Sequence, residues 1–245
     1  MKVFVFRHWS WILIIVVLSC KSIELKNDKN NNFQGKIIFE ITTIIENEER
    51  FDKELNSFIK KEDSLYKINH PNDIMGSIAS TLRLELDPRE NPSRFNTYYF
   101  PQKSVYSFTD TLITYNFSKF KVEINKSTNY YKRYDIRTNE VTEVKKYLFY
   151  NPQKTYKETI YKDSIKNING FNCYKVLISE ESNDGNFIDY KEMFVTEKIN
   201  SPYHPVRIRM ELLEKYYPLE IKIYSDFLKD KFTYFKVKLI EKSIP

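Results

Sequence analysis

Three alternating runs between residues 206 and 239 decide the fold: Val206-Arg207-Ile208-Arg209-Met210-Glu211-Leu212, Leu219-Glu220-Ile221-Lys222-Ile223-Tyr224 and Phe235-Lys236-Val237-Lys238-Leu239. In each run every second residue is apolar, and most of the residues between are charged. A period of two is typical of a strand with one buried and one wet face, as in an antiparallel sheet. The alternation is clearest at residues 206–212, and we predict a strand there.

The alternation recurs along most of the chain. Comparable runs lie near residues 36–45, 104–116, 119–124, 129–136, 141–150, 154–162, 171–180 and 187–197. Asn169-Gly170 is a two-residue hairpin signal, because type I′ turns need a positive φ at both central residues. Only four glycines occur, so Asn and Asp must occupy many turn positions. The pattern predicts a single mainly β domain over residues 35–245, built as a meander, a sandwich or an open barrel.

In one region the apolar residues recur with helical spacing and not with a period of two. Phe51, Leu55, Phe58 and Ile59 recur at i, i+4, i+7 and i+8, with charged residues between them, as in an amphipathic helix. We therefore predict a helical insertion near residues 49–82. Its apolar stripe either packs on the sheet or forms a lid over a cavity, and in the second case these four residues contact a ligand.

The first residues have the pattern of an export signal. Lys2 and Arg7 give a positive start, and the run Trp9–Leu18 is almost wholly apolar. That run is shorter than the ~18–20 residues a membrane-spanning helix needs. We predict that residues 1–19 form a removable signal peptide, which leaves enough chain for one buried core but little for two domains.

Cys20 stands at the end of this leader. Val17-Leu18-Ser19-Cys20 resembles the bacterial lipobox, and the resemblance implies that the Cys20 sulfur carries diacylglycerol. Two or three acyl chains give stable anchoring, since each buried methylene contributes about 0.8 kcal/mol of membrane affinity. Residues 20–34 would then be the lipidated cysteine and a polar tether. An ordinary secretory signal with a cysteine at its boundary is the alternative.

The residue after the cysteine bears on location. Lys21 stands where some bacteria use Asp to retain lipoproteins at the inner membrane, so resemblance to that sorting rule implies the outer membrane. No acidic run of the kind that marks surface-exposed lipoproteins follows Cys20. We therefore expect the protein to be anchored in the outer membrane of a bacterial cell envelope and to face the periplasm.

Composition argues against several functional classes. The chain is 41% hydrophobic and 16% aromatic, too apolar for a disordered protein. Two cysteines exclude a disulfide framework and a cysteine-based zinc site. The sequence contains no glycine-rich phosphate loop, Gly-x-Ser-x-Gly elbow or His-Glu-x-x-His motif. We predict no enzyme, no catalytic residues, no metal site and no cofactor.

The positive charge does not indicate nucleic acid. The formal charge of +6 falls to about +4 without the leader. The richest basic stretch, Lys119–Arg137, includes Tyr130, Tyr131 and Tyr134 and could bind nucleic acid by phosphate neutralisation and stacking. A solvated strand face explains it better, and export argues against such a partner.

Cys173 is the second cysteine. If Cys20 carries lipid, Cys173 has no disulfide partner, and a buried position as a small apolar residue is the simplest expectation. A reactive or metal-binding thiol would need His70, His204 or a positive environment nearby.

Short motifs in the second half of the chain resemble those of small envelope proteins. Ile168-Asn169-Gly170-Phe171-Asn172-Cys173-Tyr174-Lys175, Phe194-Val195-Thr196 and Tyr217-Pro218-Leu219 are similar to motifs of the GLPGLI-type family and its relatives. The Gly-Leu-Pro-Gly-Leu-Ile motif itself is missing. The resemblance implies a lipoprotein-carrier (LolA/LolB-like) fold, a single curved antiparallel sheet that forms a half-open barrel with one or two helices on its concave side.

Two functions remain open at this point. The first is a lipid-anchored envelope protein that binds an apolar ligand, a lipid or an acyl chain, in the concavity of the sheet. The second is a structural or interaction module of an envelope complex, with a filled core and no ligand. An apolar cavity of several hundred Å³ would favour the first, because this is the usual size of a ligand site.

Overall fold

The computed structural model describes residues 33–73, 76–117, 119–148, 155–181 and 187–242. The predicted leader, Cys20 and most of the tether lie outside these residues. Residues 32–245 group into one compact unit.

Eleven strands and four helices are present in this part of the chain. The strands are β1 (Gly35–Ile45), β2 (Gln102–Phe108), β3 (Leu112–Phe117), β4 (Phe120–Asn125), β5 (Tyr130–Asp135), β6 (Val141–Lys146), β7 (Tyr156–Ile168), β8 (Phe171–Glu181), β9 (Ile188–Thr196), β10 (Tyr217–Ser225) and β11 (Leu228–Lys242). The helices are α1 (Glu48–Asn69), α2 (Ala79–Leu86), α3 (Asn96–Tyr99) and α4 (Met210–Leu213).

All eleven strands belong to one antiparallel sheet that does not close. Its order is β6-β5-β4-β3-β2-β1-β11-β10-β9-β8-β7, so the first and last strands meet in the centre and β6 and β7 form the edges. Ile37 is opposite Ile240, and Phe39 is opposite Val237, with a register shift between Ile38 and Phe39. The predicted fold class, mainly β with a single open antiparallel sheet, is confirmed.

Asparagine takes the turn positions that demand a positive φ. Asn169 and Gly170 have φ values of 50° and 83° and join β7 to β8, as the hairpin signal predicts. Asn129 and Asn139 also have positive φ, 55° and 57°, in the turns on either side of β5. Asn tolerates this region of conformational space better than most residues, which explains how a sheet of this size forms with four glycines.

The main core lies on one face of the sheet, which we call the inner face. Its buried strand residues include Ile37, Phe39, Phe108, Ile113, Val122, Ile124, Val176, Ile178, Met193, Val195, Leu219, Ile221 and Val237. Residues 197–216, which connect β9 to β10 and which we call the strap, pack on this face. The buried strap residues in the same cluster are Ile199, Tyr203, Val206, Ile208, Leu212, Leu213 and Tyr216.

The predicted strand at residues 206–212 is wrong. Residues 206–209 are irregular and residues 210–213 form α4, all within the strap. Val206 and Ile208 are buried and Arg207 is exposed, as alternation requires, but the buried Arg209 breaks the pattern. Pro202 and Pro205, just upstream, lack the N–H group that a ladder needs. The alternation therefore marks an extended segment that lies on a sheet, not a strand within it.

The predicted helical insertion is present as α1 and α2. Asn47 caps α1, its side chain accepting a hydrogen bond from the Arg50 N–H at 2.9 Å. The helix continues to Asn69, beyond the apolar stripe that predicted it. A second hydrophobic cluster holds its buried face against Ile45, Ala79, Leu82, Leu86, Phe227 and Leu228. Both helices thus pack at the end of the sheet where β1 ends and β11 begins.

Candidate functional site

A cavity of about 630 Å³ lies between the strap and one half of the inner face. Its sheet side comes from β2, β3, β4 and the residues that follow β6, and the strap supplies the opposite side. The lining residues are Tyr106, Ile113, Tyr115, Ile124, Tyr147, Leu148, Pro202, Tyr203, His204, Pro205, Val206, Arg207, Ile208 and Leu213. Concave sites of this size that combine apolar walls with a few polar groups are the usual form of small-molecule sites.

Four tyrosines contribute hydroxyl groups to the cavity lining. Tyr106 and Tyr115 stack with ring centroids 4.8 Å apart, and Tyr147 and Tyr203 lie 5.1 Å apart. The Tyr203 hydroxyl donates to Oδ1 of Asn129 at 2.8 Å, which ties the strap to the β4–β5 turn. Each ring offers an apolar face and a hydroxyl at its tip, so the same side chains can contact a hydrocarbon and a polar group.

These hydroxyls keep their protons at ordinary pH. Burial raises the pKa of Tyr106 and of Tyr203 to about 12 each. Burial also raises the pKa of Tyr115 and of Tyr147, and the positive charge of Arg207 opposes the rise at Tyr147. The cavity therefore presents neutral phenols that can donate hydrogen bonds to an acceptor.

His204 fixes the strap beneath this cavity. Its Nδ1 accepts from the Val206 N–H at 3.1 Å, so its Nε2 carries the proton and donates to the Pro218 carbonyl, also at 3.1 Å. Its ring packs against Phe39 and Tyr217, with centroids 5.2 and 5.0 Å away. Burial lowers its pKa to about 4. A neutral imidazole with both nitrogens bonded to backbone positions the strap and has no free nitrogen for acid–base chemistry.

The other end of the strap is held by charge. Arg209 Nε donates to Oε1 of Glu180 on β8 at 2.6 Å, and Lys191 Nζ approaches Oε2 of the same carboxylate at 3.0 Å. The Arg209 guanidinium also lies 4.5 Å from the centroid of the Tyr156 ring. Burial of Glu180 would raise its pKa, but the two cations outweigh burial and hold it below the usual value.

A second carboxylate holds the last residues of the strap. Glu158 on β7 accepts from Lys215 Nζ at 2.8 Å and from the Tyr216 hydroxyl at 3.0 Å. The strap is thus tied to β7 and β8 by the carboxylates of Glu158 and Glu180.

Tyr217, at the start of β10, adds a buried hydroxyl. The residue is fully buried, and its hydroxyl has no hydrogen-bond partner among the described residues. Burial raises its pKa well above the usual value, and the hydroxyl of the cavity residue Tyr106 adds to the rise. Most buried polar groups in proteins have a partner, so this hydroxyl is an exception among the described residues.

The structure brings the four predicted ligand contacts together, but in another place. Phe51 and Leu55 are fully buried and Ile59 nearly so, all in the second cluster between α1, α2 and the start of β11. Phe58 stacks on Phe227 at 4.3 Å. None of them lines the 630 Å³ cavity. Their role as ligand contacts remains a prediction, and the contacts they make are those of a packed helix.

The sequence pattern at the residues that line the cavity does not distinguish a cavity from a packed core. Tyr106, Tyr115 and Tyr147 occupy inward positions of alternating runs, where a tyrosine normally signals core packing as readily as a site. Val206 and Ile208 belong to the alternation that predicted a strand. Only the position of the strap over β2–β4 reveals that these residues share a cavity.

Cys173 is buried, as expected. It is 1% exposed, its thiol donates to the Phe171 carbonyl at 3.5 Å, and burial raises its pKa to about 11. Such a thiol is unreactive in the folded state. Within the described ranges, no group of three or more His, Cys, Asp or Glu side chains is arranged to hold a metal ion.

Comparison with known proteins gave no relatives: no protein-family model matches the chain, and no curated protein matches it in sequence. Among the described residues, no helix is long and apolar enough to cross a membrane.

Proposed function

We propose that this protein is a lipid-anchored protein of the bacterial cell envelope that binds a lipid or acyl chain between its sheet and its strap. The observation that carries the proposal is the cavity of about 630 Å³ over β2–β4, walled by Ile113, Ile124, Val206, Ile208 and Leu213. Its volume lies within the range of about 300–1,000 Å³ that is usual for small-molecule sites. A filled core, which the interaction-module alternative requires, would leave no such space.

The open sheet is consistent with this proposal. The resemblance to lipoprotein carriers implied a single antiparallel sheet that does not close, and the eleven strands form such a sheet. A fold does not determine a function, so the weight rests on the cavity.

Ligand binding can be tested directly by native mass spectrometry. The chain from Lys21 onward contains every helix, strand and core residue described, and residues 32–245 form a compact unit, so this segment is suited to purification. We expect it to retain a co-purifying lipid, or to take up dodecanol with a stoichiometry of one. A clean apo mass together with no uptake would contradict the proposal.

The anchor forms the second part of the proposal and requires its own test. Replacing Cys20 with Ala should move the protein from the membrane fraction to the soluble fraction and abolish labelling by radioactive palmitate. We expect the native protein to fractionate with the outer membrane and to be protected from protease in intact cells. Unchanged palmitate labelling of the variant would contradict the lipoprotein assignment.

A second function, docking to other envelope proteins, is favoured by the sheet edges. The edge strands β6 and β7 expose Val144 and Ile165 at 54% and 69%, and such edges can pair with another chain. If this is the function, the chain from Lys21 should bring down an envelope protein in cross-linking, and Val144→Lys with Ile165→Lys should abolish that cross-link without affecting dodecanol uptake.

A further inference from the structure

The cavity is almost free of charge in a highly charged protein. Of the fourteen described residues that line it, Arg207 alone is charged, because His204 is neutral and none of the fourteen is Asp or Glu. The chain as a whole is 29% charged, so a surface of average composition would hold about four charged residues. The single charge at this site is therefore a distinctive feature of the lining.

Arg207 lines the cavity and is exposed to solvent. Another lining residue, Leu148, is 82% exposed, so the lining reaches the surface of the protein. Arg207 and Tyr147 both line the cavity, and the positive charge of Arg207 opposes the rise that burial causes in the pKa of Tyr147.

Arg207 also lacks an internal counter-charge. No carboxylate of the described residues forms an ion pair with it, whereas Arg209, two residues further on, is 4% exposed and bonded to Glu180. The backbone alternation explains the difference in part, because Val206 and Ile208 face inward on either side of Arg207. Among the described residues, Arg207 thus has no acidic partner, and it shares the cavity with tyrosine hydroxyls and apolar side chains. An arginine in such a place can bind an anionic group.

We propose that the cavity binds an amphiphile with one anionic head group, a carboxylate or a phosphate monoester. The head group pairs with Arg207 and accepts a hydrogen bond from Tyr147, and the hydrocarbon chain lies among Ile113, Ile124 and Ile208. The inference rests on the proposed function and deepens it by naming the class of ligand. Neutral lipids lack the pairing with Arg207, and cationic amphiphiles are repelled by it.

Calorimetric titration of the chain from Lys21 with matched twelve-carbon probes tests this proposal. We expect dodecanoate to bind at least tenfold more tightly than dodecanol, and added salt to reduce the difference because Arg207 is exposed. Arg207→Gln should remove this preference by lowering the affinity for dodecanoate to about that for dodecanol. Arg137→Gln, at an exposed arginine of the β5–β6 turn that does not line the cavity, is the matched control and should leave both affinities unchanged.

The outcomes separate the inference from the function on which it rests. Equal binding of dodecanoate and dodecanol, or a preference that survives Arg207→Gln, overturns the inference but leaves lipid binding intact. Absence of binding by either probe overturns both. Dodecyl phosphate is the second anionic probe: if it exceeds dodecanoate and depends on Arg207, it supports the inference and identifies phosphate as the head group. The melting temperature of Arg207→Gln should match that of the native chain, which excludes misfolding as the cause.

Discussion

The strap covers both halves of the sheet, but it packs closely on one half and leaves a cavity over the other. Over β8–β10 it packs tightly: Val176, Ile178, Met193 and Ile221 are at most 1% exposed. Over β2–β4 the same strap leaves a cavity of about 630 Å³. The strands of the two halves differ in length, with 6 or 7 residues in β2–β4 and 9 to 11 in β8–β10, and so do the side chains that face the strap.

The packed half buries aliphatic and methionine side chains such as Val176 and Met193, whereas the open half adds the tyrosines Tyr106 and Tyr115 to its isoleucines. Aliphatic side chains interdigitate to the density of a protein interior, whereas a tyrosine hydroxyl must reach a partner or remain near polar space. The strap is also anchored differently, by the buried pair Arg209–Glu180 over one half and by the neutral His204 near the other. The half over β8–β10 is thus closely packed and anchored by an ion pair, whereas the half over β2–β4 contains the cavity.

The largest expected effect concerns the ionic anchor of the packed half. Arg209→Met should lower the free energy of unfolding by about 3–5 kcal/mol, because it leaves the buried Glu180 carboxylate without its closest partner. Arg207→Met is the matched control, two residues away and exposed, and should change the free energy by less than about 0.5 kcal/mol. Urea denaturation measures both, and equal losses would show that the strap is not anchored on this side.

The next effect separates the helical cluster from the cavity. Leu55→Ala should cost about 2–5 kcal/mol, since Leu55 is fully buried between α1, α2 and the start of β11. We expect the affinity for dodecanoate to stay unchanged, because Leu55 does not line the cavity. A loss of affinity with little loss of stability would instead support the hypothesis that α1 is a lid over the ligand.

The third effect is a pH dependence that arises in the open half. Because burial lowers the pKa of His204 from 6.5 to about 4, the unfolded state binds the proton more tightly than the native state. The contribution of His204 is complete above pH 6.5 and is lost as the pH falls to 4, about 3 kcal/mol in total. About 2 kcal/mol of this should disappear between pH 6.5 and 5, above the range in which carboxylates titrate.

The variant His204→Asn provides the control for this pH dependence. An Asn side-chain oxygen can still accept from the Val206 N–H, but it does not titrate. Its unfolding free energy should be lower than that of the native chain at pH 7 and nearly flat between pH 7 and 5. If the native chain is equally flat over this interval, His204 is not buried in its neutral form.

The smallest effect compares the space available in the two halves. Val176→Leu adds a methylene to the packed half and should cost about 1–3 kcal/mol. Val206→Leu adds the same group to the cavity wall, where it should be accommodated with little change in stability but with weaker dodecanoate binding. Thermal melts and calorimetry of the pair provide the measurement, and similar destabilisation at both positions would indicate that the cavity is closed in solution.

Local signals in the sequence predicted much of the sheet. Asn169-Gly170 specified a positive φ at two adjacent residues and hence a hairpin, and the structure has it. The stripe of Phe51, Leu55 and Ile59 predicted α1, because one apolar face at helical spacing has few alternatives. These features depend on residues that are close together in the chain.

The cavity could not be predicted in the same way. The alternation of Val206, Arg207 and Ile208 is the same whether the segment pairs in a sheet or lies across one, because both arrangements bury every second side chain. The choice depends on the distant residues Tyr106 and Tyr115, which face the strap only after the strands have paired. A pattern within one segment carries no information about which other segment it will face.

The central pairing of β1 with β11 has a consequence for how the protein is made. Residues such as Ile37 and Ile240 meet across about 200 intervening residues, so the centre of the sheet cannot form until almost the whole chain has been synthesised. The meanders on either side can form local hairpins early, but they remain two separate ribbons until the last strand arrives. Until β11 is synthesised, the nascent polypeptide therefore lacks the pairing that joins its two halves into one sheet.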